Sequence, residues 1–359
     1  MLKIYLKRLK YFLSNLPFYV NKSLSLLNLR TLLKKVILET ENLSKNETIF
    51  LLPQYMTKNY RFDSSFEIIS QYMEIQLRNK ADLNYRLFFY DSENIQGLLD
   101  IAERINSNLV YLYGPNINFA LSESELRNLS KKVLGLKILI LTDSHSNNHF
   151  KFMMNIEKYF DIILLLDTKP KFYRNKKVIG PLLTPHSHET VEKIPKVDFE
   201  CRKYDIGIFG TLYSDRKELL DYSKSSDLHI YHFGGSYDSK RLTWDEYFIA
   251  MANTKIHIVT LKSQGLGTNV LRGHFTEAII SKNLIFVDSN FPIPKLFKAE
   301  ESYVVYKNKF DFVDKAKYYL SNLDISKQIA NNANKIWVEV LNEANIFDPE
   351  YWSKMKEFN

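Results

Sequence analysis

The densest chemistry in the chain lies between Lys255 and Ile280. It opens with Lys255-Ile256-His257-Ile258-Val259-Thr260 and passes through Lys262-Ser263-Gln264-Gly265-Leu266-Gly267-Thr268-Asn269. It then continues as Val270-Leu271-Arg272-Gly273-His274-Phe275-Thr276-Glu277-Ala278-Ile279-Ile280. An apolar run, a glycine-containing loop and an apolar-periodic segment in that order predict strand, loop and helix. The start of a helix offers unpaired backbone N–H groups and partial positive charge, an arrangement that suits a diphosphate. Two familiar phosphate motifs are excluded. No third glycine follows Gly265 and Gly267 at dinucleotide spacing, and Gly-x-x-x-x-Gly-Lys-Ser/Thr does not occur here. Nicotinamide dehydrogenase and P-loop ATPase readings are therefore disfavoured.

Two other loops carry comparable residues. Gly210-Thr211 closes the run Asp205–Phe209 and leads through Leu212 to Arg216. A glycine just after a strand lets a ligand approach the backbone, and an arginine there reaches a phosphate or covers the surface of the next helix, capped by Ser214 or Asp215. Gly234-Gly235-Ser236, after His232-Phe233, is open to the same two readings. In the first half, Thr142-Asp143-Ser144-His145-Ser146 follows an apolar run. His145 beside Asp143 has the makings of a general base, while the plain alternative is a strand-to-helix loop capped by Asp143 or Ser144.

The elements that position these loops follow from the hydrophobic pattern. Nearly continuous apolar runs occupy 48–52, 86–90, 108–113, 137–142 and 161–166, and a second series occupies 205–209, 228–233, 255–260, 284–287 and 303–306. Longer helix-like segments separate them, which is the signature of βα units with parallel sheets covered on both faces. The polar stretch 186–203 between the series reads as a linker. The expected organisation is a basic helical segment over 1–44, a Rossmann-like domain over 45–185, a second one over 204–345, and a closing helix over 346–359. Ligands in such sheets sit outside the carboxyl ends of the strands, so two doubly wound domains are expected to face a shared cleft.

Composition bounds the partners. The chain has 359 residues, 45% of them hydrophobic, enough for two domains with their own cores. The one cysteine, Cys201, cannot form an internal disulfide. Net charge is +8, yet residues 1–40 hold eight Lys or Arg and a single Glu, so the remainder is nearly neutral. A nucleic-acid partner is not expected from so local an excess. The opening segment places Leu2, Tyr5, Leu6, Leu9, Phe12 and Leu13 at helical spacing among its lysines, before Pro17. A basic amphipathic helix of this kind suits the surface of an anionic membrane; the alternative is a solvated face packed on the body. No uninterrupted apolar run reaches the ~18 residues of a spanning helix, and no leader-like cleavage pattern opens the chain, so a cytoplasmic protein at the inner face of the plasma membrane is expected.

The run from Leu271 to Asp288, Leu271-Arg272-Gly273-His274-Phe275-Thr276-Glu277-Ala278-Ile279-Ile280-Ser281-Lys282-Asn283-Leu284-Ile285-Phe286-Val287-Asp288, resembles the donor-binding segment of group 1 glycosyltransferases with the GT-B fold. Gly210 through Arg216 is similar to the glycine and downstream arginine that open their C-terminal domain, and Phe310–Trp337 resembles their closing helices. The resemblance covers roughly residues 200–345. It implies that Gly210, Thr211, Arg216, Gly265, Gly267, Thr268, Asn269, Arg272 and Glu277 bind a nucleotide diphosphate sugar. In that reading Glu277 accepts hydroxyl hydrogen bonds, the amides of Gly267, Thr268 and Asn269 hold the diphosphate, and Arg272 neutralises charge on the leaving group. Many relatives carry a glutamate eight positions before the one matching Glu277, where this sequence has Asn269.

The implied activity is transfer of a sugar to a hydroxyl of a glycan or glycolipid acceptor, as in bacterial surface polysaccharide or lipopolysaccharide synthesis. Asp143 or His145 would serve as base if the reaction inverts. No metal or other cofactor is expected, since the Asp-x-Asp of metal-dependent transferases does not occur and His186 with His188 lacks a carboxylate set. A sugar-nucleotide epimerase of the same architecture and a non-catalytic nucleotide-binding scaffold are the rival readings.

Overall fold

The computed structural model describes residues 48–53, 85–90, 108–113, 121–141, 147–166, 178–179, 191–192, 194–210, 212, 214–234, 242–260 and 273–341. They fall in two compact units, the first drawn from Met1–Leu164 and Asn175–Val178, the second from Leu165–Arg174 and Ile179–Asn359. The expected basic segment over 1–44 and the closing helix over 346–359 lie outside the described residues.

In the first sheet the apolar runs become β1 (Thr48–Pro53), β2 (Tyr85–Tyr90), β3 (Asn108–Tyr113), β4 (Lys137–Leu141) and β5 (Ile162–Leu165), joined by the two-residue β6 (Val178–Ile179). The strand order is β2-β1-β3-β4-β5-β6, with β1 parallel to β2 and β3, and β3 parallel to β4. Leu109, Tyr111, Leu139, Ile140, Ile163 and Leu164 are fully or almost fully buried, as the unbroken apolar runs require. Helix α1 (Glu123–Lys132) starts at a capping box in which Ser122 Oγ accepts from Glu125 N–H and Glu125 accepts from Ser122 N–H. Its Leu126 and Leu129, with Met153 and Ile156 of α2 (Asn147–Ile156), add to the buried core.

The second sheet contains β7 (Tyr204–Phe209), β8 (Ile230–Phe233), β9 (Thr254–Val259), β10 (Leu284–Asp288) and β11 (Val304–Tyr306). All its pairings are parallel, in the order β11-β10-β9-β7-β8. Between the strands run α3 (Ser214–Lys224), α4 (Trp244–Ala252) and α5 (Gly273–Ile280), followed after β11 by α6 (Lys309–Ser321) and α7 (Leu323–Ile336). Alternate strand residues divide between two faces. Ile206, Ile208, Ile256, Ile258, Leu284, Phe286 and Val304 pack with Phe312 and Ala316 of α6 and Ile329 and Ala330 of α7. Phe209 and His257 belong to the alternate set and stack ring on ring, centroids 5.0 Å apart. The stretch expected as linker up to residue 203 already contributes to this unit, because Phe199 is in its core and Arg202 is buried.

The order of the second sheet sets where a ligand belongs. Counted within the sheet the strands run 2-1-3-4-5, so successive connections leave in opposite directions from β7 and β9. The crevice at such a switch point, outside the carboxyl ends of the two central strands, is where doubly wound sheets bind ligands. Here it is bounded by Phe209-Gly210 and Val259-Thr260.

Candidate functional site

Arg216 occupies that position. It stands in the first turn of α3, is only 2% exposed, and turns its guanidinium back under the strand ends. Its Nε donates to Thr260 Oγ1 at 2.8 Å, Nη1 donates to the Phe209 carbonyl at 2.8 Å, and Nη2 meets His274 Nε2 at 3.3 Å. Thus one side chain ties the end of β7, the end of β9 and the start of α5 together. The reading of Arg216 as a cover for the helix surface is excluded by this burial.

Gly210 is needed for the same arrangement. Its φ of +89° lies in the left-handed region, and a Cβ there would come within 3.3 Å of Arg216 Nη1. Gly234, at φ +142°, passes so close that a Cβ on it would lie 2.8 Å from the Gly210 backbone. The Gly210 N–H donates to the Phe233 carbonyl, and its own carbonyl accepts from His232 Nε2 at 2.7 Å, which places the proton of His232 on that nitrogen. Close packing of the β7 and β8 ends therefore accounts for both glycines.

A histidine pair extends the network inward. His274 Nδ1 lies 3.2 Å from His257 Nε2. Because a guanidinium only donates, His274 Nε2 accepts from Arg216, so the His274 proton is on Nδ1 and is given to His257 Nε2. The proton of neutral His257 must then sit on its Nδ1, a buried atom with no hydrogen-bond partner among the described residues. Burial, reinforced by the charge of Arg216, holds His257 down at about 3, so it stays neutral. An unpaired buried N–H costs about 1–3 kcal/mol.

Glu277 lies one turn beyond His274 on α5 and is partly buried. Its Oε2 accepts a short hydrogen bond from the hydroxyl of Tyr247 on α4. Loss of hydration pushes the Glu277 carboxyl up to about 7, against the opposing pull of the Tyr247 hydroxyl. The Tyr247 ring meets Phe209 edge-on at 5.4 Å, and Phe209 stacks on His257, so the carboxylate and the arginine network share one aromatic neighbour.

Of the residues singled out from the sequence, Gly210, Arg216 and Glu277 stand together around the carboxyl ends of β7 and β9. Asp143, His145, Thr211, Gly265, Gly267, Thr268, Asn269 and Arg272 lie outside the described residues. Three further members were not anticipated. His257 is polar within an apolar strand, a signal visible in Ile256-His257-Ile258. His274 sat inside the quoted donor-segment run without a role. Tyr247 gave no signal, since its partner is thirty residues away. Among the described residues no group of three or more His, Cys, Asp or Glu could hold a metal ion, and no helix is long and apolar enough to cross a membrane.

Residues 200–345 match the profile of a family described as glycosyl transferase-like. No curated protein matches the sequence. Among solved structures, an alpha-glucosyltransferase in complex with UDP-glucose and DNA containing an abasic site is similar over 81% of this chain and 95% of that one, at 9% identity and a TM-score of 0.54. HepE of Anabaena, in complex with UDP and glucose, is similar over 83% of this chain and 96% of that one, at 10% identity and a TM-score of 0.51. TarM aligns over 70% of this chain and 56% of that one, at 12% identity and a TM-score of 0.48. At such identities the first two likenesses speak for the fold alone.

Proposed function

We propose that this chain, whose residues 200–345 match a glycosyl transferase-like family, is a glycosyltransferase of the group 1 type with the GT-B fold, and that it transfers a sugar from a nucleotide diphosphate sugar to a hydroxyl of a membrane-anchored glycan. The reading extends to bacterial surface polysaccharide or lipopolysaccharide synthesis. The observation that carries the donor half is Arg216: a buried, permanently charged guanidinium held at the switch point of the second sheet, within a hydrogen bond of the first turn of α5. A diphosphate at this place would meet that positive charge and the amides leading into α5.

In the proposed reaction the acceptor oxygen attacks C1 of the donor sugar while the bond from C1 to the diphosphate oxygen breaks. The diphosphate leaves with the electron pair, and Arg216 and Arg272 stabilise the charge that develops on it. Glu277 accepts from hydroxyls of the donor, with Gly210, Thr211, Gly265, Gly267, Thr268 and Asn269 lining the phosphates and sugar. The acceptor proton passes to Asp143 or His145 in an inverting reaction, or to the departing diphosphate in a retaining one. The basic segment 1–40 is proposed to hold the enzyme at the inner face of the membrane, near a lipid-linked acceptor. No metal takes part in this scheme.

The test is a thermal-shift panel of UDP, GDP, ADP and their sugars, beginning with UDP and UDP-glucose because two proteins of similar fold were solved in complex with one or the other. A ligand at 100 times its dissociation constant stabilises by about 2.7 kcal/mol. A selective rise in the wild type, lost in Arg272→Ala and Glu277→Ala, is the expected result. No rise with any nucleotide would remove the donor site. A product isomerised without acceptor would make the enzyme an epimerase instead.

A further inference from the structure

Glu277 is paired with Tyr247, a residue that the reaction as written does not use. Among the described residues the Tyr247 hydroxyl is the one hydrogen-bond partner of the Glu277 carboxyl, and it engages Oε2. Tyr247 is itself held rigidly. It lies in the first turn of α4, which starts at a capping box where Thr243 Oγ1 accepts from Glu246 N–H and Glu246 accepts from Thr243 N–H. Its ring meets Phe209 edge-on at 5.4 Å and Phe248 at 5.6 Å, while Phe209 is stacked between Phe233 and His257. A phenol braced in this way can donate in one direction, and the carboxyl it reaches belongs to a different helix.

We propose that Tyr247 is the positioning residue of Glu277: by donating to Oε2 it sets the plane of the carboxyl and favours its ionised form, leaving Oε1 to accept from donor hydroxyls. This rests on the reading of Glu277 as the residue that binds those hydroxyls. The pair also makes donor binding sensitive to pH. Burial raises the Glu277 carboxyl to about 7 and Tyr247, the titratable group acting on it among the described residues, pulls the other way. Removing the phenol hydroxyl therefore moves the titration further up, so that less of the ionised form exists at neutral pH. A hydrogen bond to a charged group is about tenfold or more in an equilibrium, which sets the size of the expected effect.

The experiment measures binding of UDP, GDP and ADP by calorimetry between pH 6 and 9 in the full chain, for wild type, Tyr247→Phe, Glu277→Gln and the double variant. Tyr247→Phe keeps the ring and its packing, so its unliganded melting midpoint should stay near that of the wild type. Expected are a loss of about tenfold in Glu277→Gln, a comparable loss in Tyr247→Phe at pH 6.5 that shrinks toward pH 8.5, and no further loss when the two are combined. If Glu277→Gln weakens binding while Tyr247→Phe keeps the wild-type pH profile, or if the two losses add, Tyr247 does not act through Glu277. If Glu277→Gln binds like the wild type, or no nucleotide binds the wild type, the underlying donor reading fails and this proposal falls with it.

Discussion

Two buried arginines mark opposite ends of the second sheet. Arg202 serves the amino ends of the strands, where Nη1 donates to the carbonyls of Thr254 and Lys282 at 2.8 and 2.9 Å and Nη2 donates to that of Ser281 at 2.9 Å. Arg216 serves the carboxyl ends and binds a hydroxyl, a carbonyl and an imidazole. The first is wholly occupied with backbone, joining the start of β9 to the turn before β10. The second also holds two side chains, Thr260 and His274, and leads into the first turn of a helix. Residue type and burial are alike, so the difference in role comes from which end of the strands each one caps. In a parallel doubly wound sheet, ligands approach the carboxyl ends.

The comparison breaks most sharply through stability. Arg202→Ala takes a donor from each of three carbonyls, leaving those of Ser281 and Lys282 without the guanidinium and that of Thr254 with Asn283 Nδ2 alone, and is expected to cost about 3–5 kcal/mol in chemical denaturation, with nucleotide affinity of the folded fraction unchanged. Loss of nucleotide binding in folded Arg202→Ala would erase the distinction between the two ends. Arg216→Lys keeps the charge but gives up the fork that spans Thr260, Phe209 and His274. About 2 kcal/mol of destabilisation is expected, together with at least tenfold weaker binding of UDP or whichever nucleotide stabilises the wild type.

The titrating groups at the carboxyl end sharpen it further. His257, held near 3 when folded, binds a proton only on unfolding as pH falls below its ordinary value near 6.5, so its contribution is full above that value and is lost as pH falls toward 3. Glu277, raised to about 7, has the opposite sign: its contribution is full below the ordinary carboxyl value of 4.5 and is lost as pH rises to about 7. Between 4.5 and 6.5 the two slopes oppose each other. Glu277→Gln should expose a stability that rises with pH by up to about 1.4 kcal/mol per unit. His257→Gln should expose the reverse, and unchanged slopes in both variants would show that neither group titrates as described. The smallest effect is a control. Ser122→Ala and Thr243→Ala each remove one capping box and should cost about 1 kcal/mol apiece, equally in the two units.

The two sheets differ in a way that explains what could be read from the residues alone. Every strand from β1 to β5 and from β7 to β11 was legible within two residues at each end, because strands buried on both faces leave long unbroken apolar runs. Among the described strands only the two-residue β6 escaped, being too short to carry a pattern. Among the described residues all the buried polar side chains belong to the second unit, including Arg216, His257, Thr260 and Asn283. That is where an apolar-run argument stops being sufficient. Arg202, placed in a linker by its polar neighbours, shows the failure clearly: its burial depends on carbonyls fifty to eighty residues away.

Periodicity by itself determined two parallel doubly wound units and the loops expected after their strands, while Gly210, Arg216 and Glu277 were gathered into one donor site by the resemblance to group 1 glycosyltransferases. Local pattern is enough for this, since secondary structure and strand-end loops are set by neighbours along the chain. The strand order, the direction in which Arg216 spends its donors, the protons on His274 and His257, and the hold of Tyr247 on Glu277 were decided by the tertiary structure. Each is a contact between distant segments, and a hydrogen bond across an ordered sheet depends on register and burial that no window of sequence contains.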